Sequence, residues 1–174
     1  MAFLLNFQSP KTLDDLLDRW EYDGLTNIDH ILHFEDTIGQ WTVDKDAKIG
    51  EKIFFSCAKT SIDHMNRLLS EIEEMDVLFD DDFIAFSREK RELYRKYAGH
   101  IVAIGKVGSV PFESDSNYAN PAWKSRWYAD IVDFQVLATP IPFSAFTHFI
   151  QISRTGSRTK LTDAQCQALM ALVE

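Results

Sequence analysis

The chain has 174 residues, 45% of them apolar and 13% aromatic, with a formal net charge of −9. This is enough apolar bulk for one domain with a core, and it excludes a disordered chain. Two cysteines are too few for a disulfide framework or a zinc cluster, no run approaches a membrane span, and the acidity excludes coating duplex DNA by charge alone.

The opening "MAFLLNFQSPK" has a short apolar run but neither the basic region nor the cleavage site of a signal peptide, so a soluble, cytoplasmic protein is expected. The first predicted helix is "SPKTLDDLLDRW", residues 9–20. Ser9 is its expected cap, Pro10 suits its first turn, and Leu13, Leu16, Leu17 and Trp20 share one face. A short second helix is predicted over 26–35, then "IGQWTV" reads as extended. A Gly-Glu turn leads into a buried strand at Ile53, Phe54 and Phe55.

The pattern then turns helical. Ile62, Met65, Leu68, Leu69, Ile72 and Met75 fall at helical spacing, with Thr60 or Ser61 as cap. "FDDD" breaks this helix, and another follows over about 83–97, ended by Gly99. Strands return at 100–110 and about 126–137, followed by an expected proline-framed turn, "ATPIPFSAF", and a polar loop, "SRTGSRTK". Thr162 and Gln165 have capping-box spacing for a final helix carrying Leu161, Cys166, Leu169, Met170 and Val173 inward. Strands with helices outside them make an α+β domain or small barrel. The net negative charge is confined to residues 1–98, which hold 12 basic and 21 acidic side chains, against 6 of each in 99–174.

Read in order, "W-T-V", "I-G-E-K-I-F-F", "G-H-I-V-A-I-G-K-V", a loop with a Trp, "W-Y-A-D-I-V-D-F" and "P-I-P" resemble the EVE domain of the PUA superfamily. EVE-like modules of modification-dependent restriction systems are included in that likeness. The match spans roughly residues 38–172. It implies an α+β, PUA-like bent pseudo-barrel, a single domain over 1–174. Two departures stand out: Gly50-Glu51 replaces the usual Gly-Asp, and residues 59–98 form a helical insertion where the family has a short connection. Gly105 would then sit at a barrel corner, or where a ligand approaches closely.

The resemblance implies a non-catalytic reader of a modified base in nucleic acid, DNA ahead of RNA, through an aromatic pocket that accepts a flipped base. Trp41, with Thr42 beside it, matches the family's first pocket strand. Phe55 and Ser56 end the strand where the family lines its pocket. From the residues themselves, Trp123 and Trp127 flank "KSR", so one indole can stack while Lys124 and Arg126 meet a phosphate. Arg154, Arg158 and Lys160 offer a second phosphate track. Each has a plainer role: a Trp is commonly core, Ser56 a satisfied strand residue, and the basic stretch a solvated loop.

No catalytic, metal or cofactor motif is found. Cys57 lacks a nucleophile's signature, His30 and His33 suit a solvated face, and no phosphate loop or dinucleotide fingerprint appears. Two rival readings remain. One is a binder of a free nucleotide-like molecule. The other is an interaction module whose apolar helices over residues 60–98 make a homodimer or an effector-protein interface.

Overall fold

A computed structural model describes residues 1–34, 39–113, 127–152 and 158–173. The N-terminal apolar run, to which no element was assigned from sequence, is strand β1 (Ala2–Phe7). It lies between β3 (Lys52–Cys57), to which it runs parallel, and β7 (Arg158–Leu161), to which it runs antiparallel. Being covered on both faces, β1 shows no apolar–polar alternation, and a short unbroken apolar run does not announce a strand. β4 (His100–Val107) pairs with β3, and the 16-residue β6 (Trp127–Pro142) with β4. The start of β6 also pairs with β2 (Gln40–Thr42) on one side and the short β5 (Phe112–Glu113) on the other. The strand order is β2-β6-β4-β3-β1-β7, a curled, half-barrel sheet within an α+β fold.

The curl has identifiable causes. The β4–β6 register shifts between Ile104 and Lys106, where Asp133 adopts a φ of 50°. An extra residue in one strand bends it and strengthens its twist. Gly105 faces this bulge. A Cβ there would lie 2.7 Å from Ile131 Cγ2 and 3.4 Å from ring carbons of Phe134 and Phe55. Neighbouring side chains thus occupy the space a side chain would need. A second shift falls between Ile101 and Ala103. The expected turn at "ATPIP" is instead strand: β6 runs through Pro140 to Pro142. Beyond Ile131 no described strand covers its outer side, and an edge tolerates prolines.

The sheet carries a core on each face. Phe3, Leu5, Phe7, Ile53, Phe55 and Ile131 share one cluster with α1 (Leu13–Tyr22), α2 (Asn27–Leu32), α3 (Ser61–Glu74) and α4 (Asp81–Tyr97). Ala2, Leu4, Phe54, Ile104 and Leu137 share the other with Phe146, Ile150 and α5 (Asp163–Met170). Burying a side chain such as Phe54 or Phe55 contributes about 1.5–3 kcal/mol. Met65, Leu68, Ile72, Phe83 and Tyr94 all face the first core. Most of the apolar surface behind the interface expectation for 60–98 is therefore turned inward, leaving Met75 (37% exposed), Val77 (91%) and Leu78 (73%) at the tip between α3 and α4.

Helix ends follow local chemistry, with one correction. Thr12, not Ser9, caps α1 by accepting from the Asp15 amide. Ser9 is buried and bonds the start of α3: its amide donates to Ser61 Oγ and its hydroxyl reaches the Ser61 carbonyl. The expected Thr162–Gln165 capping box is present on α5. An ion pair ties α2 to α4: Lys90 Nζ is 2.8 Å from Asp29 Oδ1, with side chains 7% and 9% exposed. The other Asp29 oxygen accepts from the amide and hydroxyl of Thr26.

Candidate functional site

The two ends of the strand order, β2 and β7, are brought together by the curl. Arg158, at the start of β7, reaches Asp44, just past β2, with Nη1 2.9 Å from Oδ1. Along this seam runs a shallow recess lined by Phe3, Leu5 and Ile53 together with Thr42, Val43, Asp44 and Arg158. Strand register fixes what faces it. Arg158 stands opposite Leu5, and Lys160 opposite Phe3. Residues directly opposite each other project to the same face, so both cations lie on the recess side. Thr159 and Leu161 fall on the other face, where Leu161 joins the second core.

Trp41 precedes Thr42 on β2 and is half-buried against the first core. Its ring meets Phe55 at 5.9 Å and Phe7 at 6.4 Å, both edge to face. Phe55 is fully buried and also meets the Phe134 ring at 5.4 Å. Half-buried Trp127, opposite Glu113, accepts the Val43 amide on its carbonyl and so anchors the chain leaving β2.

The structure thus brings Thr42 and Arg158 to one recess, with Lys160 on the same face by register; Trp41 adjoins Thr42 along β2, and its ring packs on Phe55 and Phe7. Ser56 is elsewhere. It is buried, and its hydroxyl lies 3.0 Å from the Leu5 carbonyl and 3.1 Å from Asn6 Oδ1, tying β3 to β1. Trp123, Lys124, Arg126 and Arg154 lie outside the described residues. Asp44 and the apolar floor were not singled out from sequence. Asp44 and Arg158 are 114 positions apart, and no local pattern links them.

Cys57 and His30 lie away from this seam. Burial pushes the Cys57 thiol up to about 12, which keeps it protonated and unreactive at neutral pH. Burial lowers the His30 pKa, and its neighbour Asp29 is taken by Lys90 and Thr26. Among the described residues no group of three or more His, Cys, Asp or Glu side chains is placed to hold a metal ion, and no helix is long and apolar enough to cross a membrane. No family model matches the chain, and no curated protein matches it. The likeness to EVE domains rests on the ordered motifs alone.

Proposed function

We propose that this chain is a non-catalytic binding module that recognises a modified nucleotide in nucleic acid, DNA ahead of RNA, on an EVE-type pseudo-barrel. One observation supports the reading: Thr42 of one terminal strand and Arg158 of the other line one recess over an apolar floor, with Lys160 on the same face by register and half-buried Trp41 next to Thr42 along β2. A base needs a flat partner, a few fixed polar groups and a phosphate contact, and these residue types supply them. Base–aromatic stacking returns about 1–3 kcal/mol, comparable with the few kcal/mol spent on unstacking the base.

A second reading, a free nucleotide-like ligand, is favoured by the net charge of −9, since such a ligand needs only a local positive site. A gel-shift panel of modified and unmodified oligonucleotides, with free nucleotides as competitors and several salt concentrations, tests both. The proposal expects selective retardation of one modified oligonucleotide, with affinity falling along a slope of about 0.7–0.9 per phosphate contact. Binding of free nucleotide with little salt dependence supports the second reading instead. Failure of every oligonucleotide and nucleotide to bind refutes both.

A further inference from the structure

Two of the ion pairs among the described residues are of opposite character. Lys90–Asp29 is sealed between helices. Arg158–Asp44 bridges the seam with side chains 25% and 39% exposed, through a single nitrogen–oxygen contact, and both residues line the recess. A pair reachable from solvent and facing an apolar floor is exchangeable. We infer that Asp44 is a built-in competitor for the ligand's phosphate: it holds Arg158 across the seam, and a phosphate binds by taking its place. The inference rests on the binding reading of this seam and adds what regulates it.

The chemistry favours the exchange. A guanidinium matches a phosphate through two parallel N–H donors, whereas the contact to Asp44 uses one. Lys160 is exposed, shares the face, and makes no ion pair among the described residues, so it adds a second cation to the incoming anion. No such gain awaits a ligand without a phosphate. Arg158 and Lys160 would therefore create a preference for phosphorylated over neutral ligands, and Asp44 would hold that preference down. The competitor reduces apparent affinity by the fraction of Arg158 left free. For a partly exposed pair that reduction is at most about fivefold.

The test uses isothermal titration of the full chain and its Asp44→Asn and Arg158→Gln variants. The probes are deoxynucleoside monophosphates, base-methylated and plain, the matching nucleosides, and a short single-stranded oligonucleotide. Asp44→Asn is expected to bind the monophosphates up to about fivefold more tightly, raising the ratio of monophosphate to nucleoside affinity. Arg158→Gln is expected to lose the difference between monophosphate and nucleoside. An oligonucleotide that gains as the monophosphates do identifies a backbone phosphate as the occupant; a gain confined to monophosphates identifies a free nucleotide. Thermal melts confirm that each variant is folded. Monophosphate affinity that is unchanged or weaker in Asp44→Asn overturns the inference while leaving the binding reading intact. Absence of binding in every arm overturns both.

Discussion

Trp41→Ala separates a ring that packs from a ring that binds. In the structure the indole makes two edge-to-face contacts, with Phe55 at 5.9 Å and Phe7 at 6.4 Å. Such pairs contribute about 0.5–1.5 kcal/mol each beyond burial, and truncating a fully buried Trp costs about 3–5 kcal/mol. Trp41 is only half-buried, so a loss of about 2 kcal/mol is expected. For a domain of this length that lowers the melting midpoint by roughly 4–8 °C. If the ring also stacks on a base, binding weakens by about 1–3 kcal/mol, or roughly 5- to 150-fold. Trp41→Phe keeps a flat face and should restore most of the affinity. The assay pairs thermal melting with gel-shift titration, corrected for the folded fraction. A melt lowered as calculated, with affinity per folded molecule unchanged, would show that Trp41 is a core residue and would remove the stacking platform from the proposal.

Three further outcomes test the frame around the seam. Lys90→Met leaves the Asp29 carboxylate buried without its cation and should cost about 3–5 kcal/mol in urea denaturation, much of it recovered when Asp29→Asn is added; a single-variant loss below about 1 kcal/mol would mean that water reaches the pair. Gly105→Ala places a methyl 2.7 Å from Ile131 Cγ2 and should destabilise by about 1–3 kcal/mol, part of which Ile131→Ala relieves; a neutral Gly105→Ala contradicts the close packing at the bulge. Native protein should show Cys57 unlabelled by a thiol reagent near neutral pH, and should lose stability as pH rises from about 9 towards 12, because the thiol ionises first in the unfolded chain. That alkaline loss is expected to diminish in Cys57→Ala; an unaltered pH profile would assign it to other groups.

Local signals were legible wherever neighbours in sequence are neighbours in space. The faces of α1, α3, α4 and α5 and the Thr162–Gln165 cap all arise within a turn or two of chain. What escaped were the features decided by distant partners. β1 reads as a plain apolar run because both its faces are covered by elements from later in the chain. The last three residues of "SRTGSRTK" are strand because β1 offers them an edge, and "ATPIP" stays extended because β4 pairs with its end. Ser9 turns from capping to Ser61, and Ser56 faces away from Trp41, because strand register sets sidedness and register is a tertiary choice. The sequence by itself determined which side chains are suited to stacking and to phosphate. Only the curl of the sheet decided that Thr42 and Asp44 meet Arg158. Curling a sheet carries its two end strands towards each other, and no spacing along the chain encodes that meeting.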